Sequence, residues 1–171
     1  PQALFRSDDG VRYAYRDAGS GTWHIEPVGD VPSGAGGLSL LVDGSGLPHV
    51  SFGDDQHRLI YAYRDAAQAW HAEVADTAYH INATTSLVLD AAGQPHIVYS
   101  AESDQQIAYA YRDAASVWHP SRLLDEKGAY YISLALGTGG RPHLGYYDND
   151  GSFTGYVKHA CEDETGWHAE I

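Results

Sequence analysis

Histidine, tryptophan and arginine recur at fixed places along this chain, and all three could do chemistry. Trp-His falls at Trp23-His24, Trp70-His71, Trp118-His119 and Trp167-His168. Pro-His falls at Pro48-His49, Pro95-His96 and Pro142-His143. Imidazoles ligate metals and move protons near neutral pH. Indole rings can stack on sugar rings. A basic series runs Arg16, Arg64 and Arg112, each followed by Asp, with Lys158 as its worn fourth member. A ring of such cations could hold an anionic ligand.

The spacing says what positions these groups. The Pro-His steps are about 47 residues each, with Pro1-Gln2 as a degenerate earlier copy. Tyr-Ala-Tyr-Arg-Asp-Ala spans 13–18, 61–66 and 109–114, and a worn copy ends in Lys158-His159-Ala160. Ser-Leu-x-x-Asp/Gly spans 39–43, 86–90 and 133–137. Four phrases in one order at one period define an internal repeat, and a period of roughly 40–50 residues is the length of a four-stranded propeller blade. In the third unit, strand A is read at Ser86–Leu89, B at His96–Tyr99, C at Ile107–Arg112 and D from Trp118 to about Leu123. Alternating Ala and Tyr in strand C has the period of two of a half-buried strand. Helix-pair repeats are excluded because Gly or Pro interrupts every 10 to 12 residues or so.

The fold class is therefore all-β: propeller blades of four antiparallel strands, about 47 residues per repeat. Blades are expected at about 1–30, 39–76, 86–125 and 133–171 within a single domain. The first lacks its inner strand, so three are complete. The chain starts at Pro1 without Met and reads as processed, trimmed or cut from something longer. Either it completes a ring with copies of itself, or it is part of a longer propeller chain.

Regular placement weighs against the sharper chemical readings. Identical positions on successive blades are rotated apart around the ring, so repeated histidines converge on one ion only near the axis. In-blade hydrogen bonding that locks strand A to strand B is the expected role of His49, His96 and His143, and in-blade bonding likewise for His24, His71, His119 and His168. No metal and no cofactor is expected. Trp23, Trp70, Trp118 and Trp167 read first as packing between blades. Arg16, Arg64, Arg112 and Lys158 read first as cations bonded to a carboxylate that closes each blade. These eight residues are the candidate ligand-binding set. Asp148-Asn149-Asp150-Gly151 lacks the glutamate of a calcium loop, since its twelfth position is His159, and reads as a hairpin.

No catalytic residue is assigned. A nucleophilic triad needs a unique nucleophile and base, and nearly every histidine here belongs to the repeat. The single cysteine, Cys161, stands beside Glu162 and Asp163, which blunt a thiol, and cannot form an intrachain disulfide. The formal net charge of −13 and the pI near 4.9 repel polyphosphate, so nucleic acid is not an expected partner. No apolar run reaches the roughly 18 residues of a membrane span.

Three features carry resemblances. Asp17 to Trp23 resembles the Asp-box of sialidase-type propellers, which decorates the hairpin between the third and fourth strands of a blade and serves folding. The whole unit is similar to the Ser-Leu-x-Leu-Asp-x-x-Gly-x-Pro-His-x-x-Tyr repeats of large exported bacterial propellers, which implies a secreted or extracellular protein. The Tyr-to-Asp spacing across strands B and C is also similar to that of small fucose-binding lectins, which build six-bladed rings from several short chains; that family's sugar-binding Arg and Glu would fall on Val50 and Tyr61. The expected function is a non-enzymatic binding or scaffolding propeller of lectin-like kind, with a carbohydrate or protein ligand. The alternative is a fragment of a propeller enzyme, a sialidase-like hydrolase or transferase, with active residues partly in missing blades. The places that break the symmetry, Tyr79-His80, Tyr130-Tyr131 and Tyr146-Tyr147, are where such an activity would sit.

Overall fold

The computed structural model describes residues 1–29, 36–101, 106–124, 129–149 and 155–171. These form one three-stranded and three four-stranded antiparallel sheets, each built from consecutive strands. Blade 1 is β1 (Gln2–Ser7), β2 (Gly10–Arg16) and β3 (Trp23–Pro27). Blade 2 is β4 (Gly36–Val42), β5 (Pro48–Gly53), β6 (Leu59–Arg64) and β7 (Trp70–Asp76). Blade 3 is β8 (Ile81–Leu89), β9 (Pro95–Ala101), β10 (Gln106–Arg112) and β11 (Trp118–Leu124). Blade 4 is β12 (Ala129–Leu136), β13 (Pro142–Asp148), β14 (Tyr156–Asp163) and β15 (Gly166–Glu170).

The inner strands begin earlier than the Ser-Leu phrase implies. A register shift in each, between Gly36 and Leu38, Ile81 and Thr85, and Tyr130 and Ser133, adds residues ahead of the serine. The hairpin read at Asp148 to Gly151 and the connection at 125–128 lie partly or wholly outside the described residues.

Successive inner strands lie side by side, β4 against β8 and β8 against β12. The recurrent serine is part of that contact. The Leu87 N–H donates to Ser39 Oγ at 3.2 Å, and the Leu134 N–H donates to Ser86 Oγ at 3.0 Å. Gly37 lets β4 approach this closely: a Cβ there would stand 2.6 Å from the Thr85 backbone nitrogen, and its φ of +20° disfavours other residues.

Three apolar clusters lie between the sheets, and strand alternation assigns each side chain to one of them. On β6, Ile60 and Ala62 face blade 1, packing with Val11, Tyr13 and Phe52. Leu59 and Tyr61 face blade 3, packing with Ile97, Tyr99 and Ala110. On β10 the pattern repeats, with Ala108 and Ala110 toward blade 2 and Ile107 and Tyr109 toward blade 4. The small alanines of Tyr-Ala-Tyr thus make room for the large residues of the preceding blade. A sheet buried on both faces and wedged between its neighbours is the blade of a β-propeller.

Candidate functional site

The first two seams between blades carry the same set of groups, because the chain repeats. Arg64 ends β6 and Trp70 opens β7, and both reach back to blade 1. The Trp70 Nε1–H donates to Glu26 Oε1 at 2.8 Å, and the two terminal nitrogens of Arg64 lie 3.3 Å from the two oxygens of that carboxylate. Arg64 lies over the Tyr15 ring at 5.3 Å, and Trp70 meets Tyr13 edge-on at 5.5 Å. The next seam repeats this. Arg112 donates to Glu73 Oε1 at 2.7 Å, Trp118 Nε1–H donates to Glu73 Oε2 at 2.9 Å, and Trp118 meets Tyr61 edge-on at 5.5 Å.

Of the candidates, Arg64, Trp70, Arg112 and Trp118 therefore bond a carboxylate, which is not that of the aspartate following each arginine. It belongs to a glutamate on the outer strand of the preceding blade. Its signal in the sequence is Trp-His-x-Glu, which recurs at 23–26, 70–73 and 167–170. The aspartates instead hold their own hairpins. Asp65 Oδ1 accepts the Ala69 N–H and Asp113 Oδ1 accepts the Val117 N–H, both at 2.9 Å.

The third seam, between blades 3 and 4, departs from the repeat. His143 lies opposite Cys161 and Leu144 opposite Ala160, as His49 lies opposite Tyr63 and Val50 opposite Ala62. Glu162, not Lys158, thus holds the arginine position in blade 4. The worn motif was aligned four residues too early because its Lys-His-Ala imitates Arg-Asp-Ala. Lys158 instead bonds Asp148 across the β13–β14 ladder at 2.7 Å. Ser121 stands where Glu26 and Glu73 stand, so this seam loses both charge partners together. Trp167 still meets Tyr109 edge-on at 5.8 Å.

Arg16 ends β2 and Trp23 opens β3, and Arg16 also lines the cleft at the seam with blade 2. Trp23 is 51% exposed, whereas its counterparts Trp70, Trp118 and Trp167 are half-buried. Arg16 is exposed, and its Nε–H donates to the Gly21 carbonyl at 2.8 Å. The first seam opens into a cleft of about 240 Å³ whose lining includes Gln2, Tyr13, Tyr15, Arg64 and Gln68. Two tyrosines, two guanidiniums (Arg16 and Arg64) and two side-chain amides thus face this volume.

The repeated histidines bond inside their own blades. His49 Nδ1 lies 2.6 Å from the Tyr61 hydroxyl, its Nε2 lies 3.6 Å from Asp43, and His96 is held in the same way by Tyr109 and Asp90. The tie joins the strand-A turn to strand C, rather than strand A to strand B as the sequence suggests. His71 and His119 bond Asp65 and Asp113 at 2.7 and 2.8 Å.

Burial is the main cause that lowers the pKa of His49 and of His96 below 6.5, against the pull of Asp43 and Asp90. The unfolded chain then binds protons at a higher pH than the folded one. Stability is full above about pH 6.5 and falls as pH drops toward the lowered folded values. The thermal midpoint is expected to fall between pH 7.5 and pH 5.5, and a His49→Gln, His96→Gln double variant to show a flatter profile in a melting series. Carboxylates such as Asp43, lowered from 3.8, add their loss only in a separate, more acid window.

No protein-family model and no curated protein matches this chain. Solved structures do resemble it. A fucose lectin from Kordia zhangzhouensis is 22% identical with a TM-score of 0.54, over 78% of this chain and 97% of the lectin. An α-L-arabinofuranosidase from Clostridium thermocellum is 10% identical with a TM-score of 0.54, over 95% of this chain and 61% of the enzyme. A bifunctional GH43-CE protein from Bacteroides eggerthii is 13% identical with a TM-score of 0.52, over 98% of this chain and 27% of that protein. At these identities the likeness is one of fold, and the chain is an all-β protein of propeller blades. Val50 and Tyr61, the positions on which the fucose-lectin residues would fall, are 0% and 1% exposed and cannot touch a ligand.

Proposed function

We propose that this chain is a carbohydrate-binding propeller module whose ligands sit in the clefts between blades. The observation that carries the reading is the Arg–Trp–Glu group repeated at two seams, beside an aromatic-lined cleft. Planar guanidinium and carboxylate groups satisfy pairs of sugar hydroxyls, and tyrosine and tryptophan offer apolar faces to the C–H side of a sugar ring. Arg64, Trp70 and Glu26 make one site, and Arg112, Trp118 and Glu73 the second. Arg16 and Trp23 are the half-site of a further seam, completed by another blade supplied by a second copy or by a longer chain. Trp167 contributes packing, and Lys158 drops out of the set. The hydrolase reading has only the shared fold behind it, and fold carries no activity. An exported protein suits a glycan ligand, and no helix among the described residues is long and apolar enough to cross a membrane.

A glycan array printed with fucosides, galactosides and arabinosides tests the reading. The Kordia lectin was solved in complex with methyl-fucoside, which makes fucosides the first ligands to try. Binding is expected to weaken at least about tenfold in Arg64→Ala, a loss of about 1.4 kcal/mol. Silence across the array from a folded chain of known native mass overturns it.

A further inference from the structure

Blade 4 breaks the repeat at a second place, and the replacements there share a chemistry. In blade 2 the turn and adjoining strands bring together Asp43, His49, Tyr61 and Tyr63, and in blade 3 Asp90, His96, Tyr109 and Tyr111. The blade 4 register puts Gly137, His143, His159 and Cys161 in those positions. One carboxylate and two phenols have become a glycine, an imidazole and a thiol. The donor atoms of His143, His159 and Cys161 all lie within 4.8 Å of one another, and all three residues are half-buried.

We infer that His143, His159 and Cys161 form a zinc site, with a fourth position open to water. Zinc takes nitrogen at about 2.0–2.1 Å and thiolate sulfur at about 2.3 Å in a tetrahedron, so its donors stand roughly 3.3–3.6 Å apart. His143 Nδ1 and His159 Nε2 are already 3.0 Å apart. The far nitrogen of His159, Nδ1, lies 3.2 Å from Glu170 Oε1. A carboxylate there keeps the proton on Nδ1 and turns the Nε2 lone pair toward the cluster, the outer-sphere arrangement common to metal-bound imidazoles. His143 is freed in a matching way. In blades 2 and 3 an aspartate faces Nε2 and the Nδ1 nitrogen faces a tyrosine hydroxyl. In blade 4 Gly137 supplies no carboxylate, and Nδ1 faces an imidazole. Two imidazoles and a thiol select zinc or another borderline-soft ion over calcium or magnesium. The site stands at one blade only, which answers the objection that ligands repeated around a ring cannot converge.

The test titrates the chelator-treated protein with Co²⁺ as a probe, then with Zn²⁺. One equivalent of Co²⁺ is expected to give near-ultraviolet thiolate-to-cobalt absorption and visible tetrahedral bands, and Zn²⁺ is expected to displace it. His159→Tyr and Cys161→Tyr restore what the other blades carry at these positions, so they should fold. Both should lose the thiolate band and bind Zn²⁺ at least about 100-fold more weakly, while Glu170→Gln weakens binding by about tenfold. A readout that needs no variant is alkylation of Cys161, which one equivalent of Zn²⁺ should suppress. An absent thiolate band, an undiminished band in Cys161→Tyr, or alkylation at full rate with zinc present overturns the site.

Discussion

Tyr61→Ala is expected to lower the unfolding free energy by about 3–5 kcal/mol. Tyr61 is 1% exposed and fills the seam between blades 2 and 3. Its ring meets Trp118 edge-on, lies 5.5 Å below the Arg112 guanidinium, and its hydroxyl lies 2.6 Å from His49 Nδ1. Truncation leaves a cavity bounded by two sheets whose backbones are fixed by their own ladders, so little can collapse into it. It also strips His49 of its partner. Tyr61→Phe keeps the ring and loses only the hydroxyl, for a cost of about 1–2 kcal/mol. Urea unfolding of the three proteins measures both steps. A Tyr61→Ala loss no larger than that of Tyr61→Phe would show that the seam is not close-packed. Tyr15, the half-buried second tyrosine of the blade 1 motif, should tolerate truncation better.

Glu73→Ala is the second large effect, at about 2–3 kcal/mol, because two donors lose one acceptor. Arg112 and Trp118 each give one hydrogen bond to that carboxylate, and the Arg112 side chain is only 13% exposed. Removal leaves a half-buried cation facing tyrosine rings with no anion. Arg112→Ala in the same background should cost less than it does alone, and a double-mutant cycle should return a coupling of roughly 1–2 kcal/mol. The seam between blades 3 and 4 already shows the double change, with Ser121 and Glu162 replacing both partners. Calorimetric unfolding of the four proteins provides the cycle. Additive losses would mean that the carboxylate does not hold the arginine in solution.

Glu26 and Glu73 supply the carboxylates that the sequence leaves unnamed for Arg64 and Arg112. Arginine paired with a carboxylate was legible, since a cation repeated once per unit at the end of a buried strand needs a counter-charge. The aspartate that follows each arginine is not that carboxylate, because it already accepts the N–H groups of its own hairpin, as Asp65 and Asp113 show. The true partner lies 38 or 39 residues back, on another sheet. Which side chains meet across a seam depends on how far one sheet is rotated against the next, and no local pattern records that angle.

The blade 4 register failed for a related reason. Lys158-His159-Ala160 imitates the repeat in text, but strand pairing places those residues four positions earlier. A backbone ladder answers to the faces it must bury. Ala160 fills the space that Ala62 and Ala110 fill, and that constraint outweighs a three-letter likeness.

Residue order alone determined the strands, their turns, the period and the propeller class, because strand alternation and turn chemistry act over a few neighbouring residues and were written out repeatedly. Only the tertiary structure decided that Glu26 and Glu73 complete the seam groups, that Lys158 leaves the set, and that His143, His159 and Cys161 converge. Those outcomes rest on contacts between strands and sheets that are distant along the chain, where packing selects the partner.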